Sequence, residues 1–451
     1  MSDVLKRTLR ARDLVLIVIG TVIGSGIFVV PGAVLRQSDG RVGVALAVWF
    51  VAGALSLLGA LTYAELGAAR PSAGGLYAYI RDAFGPLPAF LYGWATFFVI
   101  SSGSAATLAV AFSGYLDQLV PIGPVTSKLV AVLMIAVVAA INVRGARQGA
   151  DVQNWGTAIK AGAIVLLSVM LLVSGSGLQE ARLAGFWPDS MSVSVLSGVG
   201  LALLGVLWAY EGWQYVTFSA GEARDPQRTL PRAIIAGTAI LIAIYVLANV
   251  GYIAALGPDS AAATDRIAAE AAGTLFGPVA GKIVALVILV SMFSATNGLA
   301  LTSPRLYFAM SRDGLFFRRL AEVHPRFGTP AFAIVASSIW AAVLAVSGTF
   351  EQLLTYVVFA GWIFYALGAL SVFVFRRREP DESRPFRVPG YPLTPLFFVA
   401  AAAAIVTNTI FVQPVQSFLG LGAVLLGLPA YFIWRRRSRE ITAASADQQT
   451  P

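Results

Sequence analysis

The sequence predicts an all-α polytopic membrane protein of twelve transmembrane helices. Three observations predict it. Of the 451 residues, 57% are hydrophobic and only 12% are charged, with a mean hydropathy of +0.77; a soluble domain carries about 25% charged residues. The apolar residues gather into runs long enough to cross about 30 Å of hydrocarbon. Lys and Arg alternate between dense and sparse connections along the chain.

The expected spans are 14–36, 42–66, 86–116, 126–142, 155–176, 192–219, 231–256, 275–304, 330–347, 352–375, 391–412 and 416–434. Their connections are too short for an inserted soluble domain, so a single transmembrane domain is expected over 1–451. The first run follows Lys6, Arg7, Arg10 and Arg12, as in a signal peptide. It is too long for a signal core and lacks a small-residue cleavage site, so it reads as a retained span.

Placing the N-terminus inside puts 25 of the 32 Lys and Arg on the inner side and 6 on the outer, with Lys160 inside a span. That bias predicts both termini in the cytoplasm. Arg376-Arg377-Arg378 and Arg435-Arg436-Arg437 read as topological signals, and the net charge of +9 as loop charge rather than a nucleic-acid surface.

The first span is interrupted at its centre by Gly24-Ser25-Gly26, the sixth by Tyr210-Glu211-Gly212-Trp213. Glycine weakens a helix where an anchor would use Leu or Val. Backbone that unwinds at bilayer depth is tolerable only beside protein, a cavity or a ligand. If residues 14–176 and 192–375 are two halves, each opens on a broken helix, and five spans per half give opposite orientations. Spans eleven and twelve, 391–434, are then appended.

Several chemistries are excluded. With no cysteine and one histidine, His324, there is no set of zinc ligands and no Cys–His dyad. None of the four lysines lies in a phosphate-binding loop, and no paired carboxylates sit at helical spacing in a span. No catalytic residue, metal or cofactor is expected.

The break in span one has two readings. Gly20 and Gly24 form a GxxxG pair suited to tight helix packing. Alternatively, the free amides and positive dipole end of the restarted helix bind an anion, with Ser25 adding a hydroxyl. In span six, Glu211 stands far from either end, at an insertion cost of about 2.5–3.5 kcal/mol. Trp208, Tyr210 and Trp213 flank it and could occlude a small cargo, while exposed carbonyls accept from an ammonium; the rival reading is an aromatic packing cluster around a hydrogen-bonded Glu211. Lys160, about one and a half turns into span five, either snorkels to the cytoplasmic interface or supplies a fixed positive charge between spans one, five and eight.

The motifs then become specific. They are Gly20-Thr-Val-Ile-Gly-Ser-Gly-Ile-Phe28, Tyr63-Ala-Glu-Leu66, Pro71-Ser-Ala-Gly-Gly-Leu-Tyr77, Trp208-Ala-Tyr-Glu-Gly-Trp213 and Gly221-Glu222. Pro226, Leu230-Pro231-Arg232-Ala233, Asn297, Ser303-Pro304-Arg305 and Arg384-Pro-Phe-Arg-Val-Pro389 follow in order. Together they span nearly the whole chain, which resembles the amino acid–polyamine–organocation superfamily of permeases, close to the L-type amino acid transporter branch. The resemblance implies a LeuT-like inverted repeat and alternating access. It implies that Gly24, Ser25 and Gly26 hold the cargo carboxylate and that the carbonyls of Trp208, Ala209 and Tyr210 hold its amino group, with Ile23, Ile27, Glu211 and Gly212 also at the substrate site. Trp208 and Trp213 would gate the site. Lys160, with Ser291 and Ser294, would stand where sodium-coupled relatives bind an ion, with Asn297 nearby on span eight. Glu211 departs from the Asp or Gly that relatives often carry. Animal members tether a glycoprotein through a cysteine, and this chain has none.

The expected function is secondary transport of neutral L-amino acids across the cytoplasmic membrane, by exchange or proton-linked symport without sodium. Its partners are the amino acid and the lipid bilayer, with no nucleic acid, no disulfide-linked heavy chain and a monomeric state. The alternatives are a cationic amino acid or polyamine carrier, and a non-transporting amino acid sensor; tails of roughly a dozen residues disfavour the sensor.

Overall fold

The computed structural model describes residues 7–183, 185–188, 190 and 193–435. Lys6, Arg436, Arg437 and position 192, named above, lie outside the described residues. The described chain is helical, and its only strand-like pairing is a parallel bridge between Leu9 and Ala223. Ten described helices are long and apolar enough to cross a bilayer, eleven when the bent pair at the start is one span.

That pair is α1 (Ala11–Val22) and α2 (Gly26–Gln37), bent by 44° at the glycine break. After α3 (Val42–Ala69), a short amphipathic α4 (Leu76–Phe84) leads to α5 (Pro86–Ala95), a π turn (Thr96–Ile100) and α6 (Ser101–Leu119), which together form the third span. The π turn frees carbonyls, and neighbours take them: Tyr307 donates to Thr96 O at 3.2 Å and Trp340 Nε1 to Phe98 O at 2.9 Å.

Next come α7 (Gly123–Arg144), α8 (Ala146–Ser174), the short α9 (Gly177–Leu183) and α10 (Val193–Ala209). A turn at 210–212 passes into a 3-10 segment, Trp213–Glu222. Then follow α11 (Pro226–Ala263), interrupted at Gly257, α12 (Ile267–Phe276) and α13 (Pro278–Arg312). The chain closes with α14 (Ala331–Ser347), α15 (Phe350–Arg378), α16 (Leu393–Val412) and α17 (Pro414–Leu425). Proline at the first turn opens α5, α11, α13 and α17, where its missing N–H costs nothing.

Most expected spans recur with shifted ends. The ninth, α14, has only 17 residues, too few for the length test the others meet. The fifth differs most: α8 begins at Ala146, nine residues before the expected 155. Its first turns are polar because they face protein rather than lipid. Arg147 pairs with buried Asp13 at 3.0 Å, Asn154 donates to Asp13 at 2.7 Å, and Asn297 donates to Gln153 at 3.2 Å. Lys160 therefore lies about four turns into its helix rather than one and a half.

The face bearing Leu9 is held shut. Leu9 N donates to Glu222 O at 3.0 Å, and Arg224 N to Leu9 O at 2.8 Å. Beneath them Arg305, fully buried, donates to Glu222 through Nε at 2.8 Å and Nη2 at 3.3 Å.

Candidate functional site

The two breaks meet. Gly26 begins α2, so its first-turn amides have no carbonyl one turn back and the positive dipole end points outward from the break. A Cβ on Gly26 would lie 2.5 Å from Ala209 Cα, so only glycine lets α2 approach the last residue of α10. At Gly212 φ is +127°, a conformation that L side chains rarely adopt, and this residue turns α10 into the 3-10 segment. Thr21 Oγ1 lies 3.0 Å from Gly212 O and 2.7 Å from Ile17 O, and the hydroxyl of Tyr245 on α11 lies 3.1 Å from Val22 O and 3.0 Å from Ala209 O. Thus Thr21 and Tyr245 clamp the breaks together.

Beside this junction is a small cavity lined by Thr21, Val22, Gly24, Gly26, Ser104, Leu108, Trp208, Glu211, Tyr215 and Leu299. Its lining includes the start of α2 at Gly26 and, at Trp208, the last turn of α10. Opposite dipole ends over one small cavity match a zwitterion. Ser25 Oγ is buried and has no partner among the described residues, which leaves a hydroxyl beside the α2 amides.

Glu211 is buried and points one oxygen at three donors. Gln214 Nε2 reaches Oε1 at 2.7 Å, the Tyr215 hydroxyl at 3.3 Å, and the Tyr365 hydroxyl of α15 donates to the same atom. Oε2 has no hydrogen bond among the described residues, and no Lys, Arg or His pairs with the carboxyl. Three donors on Oε1 fix the group, so Oε2 is the atom available to a proton or a ligand.

Lys160 is fully buried and does not reach an interface. Nζ donates to Gly20 O at 2.7 Å, to Ile23 O, and to Ser291 O at 3.3 Å. Ser291 Oγ lies 3.2 Å from Ile23 O and 3.0 Å from Gly24 O. The ammonium and hydroxyl thus cap the orphan carbonyls at the end of α1, the negative end of its dipole.

The remaining expected residues are placed as follows. Ser294 packs on Gly156, one turn from Lys160, and makes no hydrogen bond with it. Asn297 sits lower, accepting from Asn142 at 2.8 Å and donating to Gly149 O at 2.9 Å. Ile27 is core, and Tyr210 packs on Trp49 and Tyr245. Trp213 stands edge-on to Tyr63 at 5.1 Å and near Phe398, away from the cavity lining. Trp208 lines the cavity. Sequence reasoning missed Thr21, Val22, Ser104, Leu108, Tyr215, Tyr245, Leu299 and Tyr365. Thr21 and Val22, beside the glycine break, and Tyr215, four residues from Glu211, carried a local signal.

A family model described as amino acid permease matches residues 9–428. The chain is 32% identical over 424 residues to the serine/threonine exchanger SteT of Bacillus subtilis, covering 93% of this chain and 95% of that one. It is 33% identical over 445 residues to the human cystine/glutamate transporter, covering 96% and 87%. Against the human large neutral amino acids transporter small subunit 2 it is 32% identical over 438 residues, covering 94% and 80%.

Proposed function

The chain belongs to the amino acid permease family, and from that premise we propose that it is a sodium-independent secondary transporter of neutral L-amino acids, working by exchange or proton-linked symport. It is an integral membrane transporter of amino acids and not an enzyme. The observation that carries the cargo reading is the meeting of the two breaks at Gly26 and Ala209, which sets the start of α2 and the end of α10 over one cavity. The carboxylate takes the amides of the break at Gly24, Ser25 and Gly26, where α2 begins. The ammonium takes carbonyls at the end of α10, and Trp208 closes over the cargo.

The wider architecture we read as twelve helices, with α14 as the ninth span, in inverted repeats over 14–176 and 192–375 plus the appended pair 391–434. In support, the broken spans open the two halves. The Lys and Arg bias supports cytoplasmic termini, and hence the cytoplasmic membrane. The lack of cysteine supports a carrier without a disulfide-linked partner. Lys160 replaces a coupling sodium, which supports sodium independence.

One observation favours a second reading. The unpartnered Glu211 Oε2 would accept from a cargo side chain bearing an amine, as in a cationic amino acid. A thermal-stability screen of purified protein against all common L-amino acids and polyamines separates the readings, since a ligand binding only native protein raises its melting temperature. Stabilisation by neutral amino acids alone supports the first reading, and by Lys, Arg or polyamines the second. No shift with any of them overturns both.

A further inference from the structure

A second cavity, of about 450 Å³, lies beyond the breaks, on the side away from the Glu222–Arg305 pair. Its inner end is apolar, with Val30 and Leu204 near the point where α2 crosses α10; a Cβ on Gly205 would come within 3.1 Å of Val30. Trp208 is the next turn down α10. The cavity thus ends one helical turn of α10 from a residue that lines the cargo site, and by the charge bias it lies on the outer side.

Its rim carries one charge of each sign. Arg36, at the end of α2, donates through Nη1 to Ala262 O at 2.6 Å and through Nη2 to Asp265 Oδ1 at 2.7 Å. The two side chains are 45% and 73% exposed, so the guanidinium keeps free N–H donors and the carboxylate a free oxygen. Gln413 also lines the cavity, and its Oε1 is buried with no partner among the described residues. A guanidinium, a carboxylate and an unpaired amide oxygen above an apolar throat complement the head and side chain of a free amino acid. An exposed ion pair is weak enough for such a ligand to compete with it.

We propose that this vestibule is a second amino acid site, where the ligand's carboxylate joins Arg36 and its ammonium joins Asp265 and Gln413 before the cargo passes Trp208. The proposal rests on the amino acid cargo argued above. The ligand inserts into the Arg36–Asp265 pair, its apolar side chain pointing at Val30 and Leu204, already oriented for the next step. Hydrogen bonds to Arg36 make the site selective for carboxylates, and the throat disfavours highly polar side chains.

The test uses the full chain in detergent and in proteoliposomes, with each of the common L-amino acids as a radiolabelled probe. The native protein is expected to bind its best probe at two per chain, and Arg36→Ala at one. Gly26→Leu, blocked at the breaks, should also keep one. For uptake from the vestibule side, Arg36→Ala should raise KM about tenfold with kcat nearly unchanged, and Arg36→Lys should recover much of the loss. If Arg36→Ala does not fold, Asp265→Asn provides the same comparison. One probe per chain in the native protein with an unaltered KM in the rim variants overturns the vestibule site and leaves the cargo reading standing. No binding of any probe overturns the cargo reading, and this site with it.

Discussion

Gly26 lies flat against Ala209, so close that a Cβ on the glycine would sit 2.5 Å from the alanine Cα. Both partners at that contact are backbone, so neither can rotate away. Gly26→Ala must push α2 off α10 and displace the amides that face the cavity. We expect amino acid binding to weaken at least tenfold, equivalent to about 1.4 kcal/mol, while the protein stays folded in the membrane. Size-exclusion behaviour and ligand-induced thermal shift measure the two effects separately; near-native binding would restore tight packing as the sole role of the glycine.

Trp208 lines the cavity at the end of α10. In the proposed gating role, Trp208→Ala removes a lid rather than a cargo contact, so turnover should fall by more than affinity. Counterflow rates and equilibrium binding on the same preparation test this. Equal losses would mark Trp208 as a pocket wall.

Glu211 is held by three donors on one oxygen. In Glu211→Gln the side chain loses its charge and its titration but keeps much of its shape, so the pH profile of uptake should flatten, or cationic cargo should weaken relative to neutral. Tyr365→Phe removes one of those donors from across the fold and should shift the same profile. Identical profiles and selectivity in both variants would reduce Glu211 to a packing role.

Lys160 caps the carbonyls of Gly20 and Ile23. Lys160→Ala leaves them unpaired, a loss of about 1.5–3 kcal/mol for a charged hydrogen bond. In the proposed alternating access the break changes conformation, so the loss should fall on the balance of inward and outward states and alter transport asymmetry more than melting temperature. Native uptake should be the same in sodium and choline buffers; sodium stimulation would contradict the fixed-charge role.

Arg305 and Glu222 form a buried pair that links α13 to the 3-10 segment. Arg305→Ala strands a buried carboxylate, at a cost of about 3–5 kcal/mol. A sharp fall in thermal stability is expected. The double variant Arg305→Met with Glu222→Gln should be much less damaged than the sum of the singles, and additivity would show that the two side chains do not act as a pair.

By itself the sequence determined the class and the landmarks. Hydropathy, the glycines at 24 and 26, Gly212 and the Lys and Arg bias are local properties, readable from neighbouring residues. The sequence also placed Gly24, Gly26, Trp208 and Glu211 at one site, because a broken helix declares itself within a few residues. It misjudged the start of α8, since hydropathy cannot tell a polar residue facing water from one facing protein. Gln153 and Asn154 belong to the second kind.

Only the tertiary structure decided who meets whom. Tyr365 reaches Glu211 across 154 residues of chain, and Tyr245 reaches Val22 across 223. Trp213, equivalent to Trp208 by sequence, turns to Tyr63 and Phe398 instead of the cavity. Buried polar groups at bilayer depth must find partners, but which ones depends on how helices cross, and nothing local to any residue encodes that.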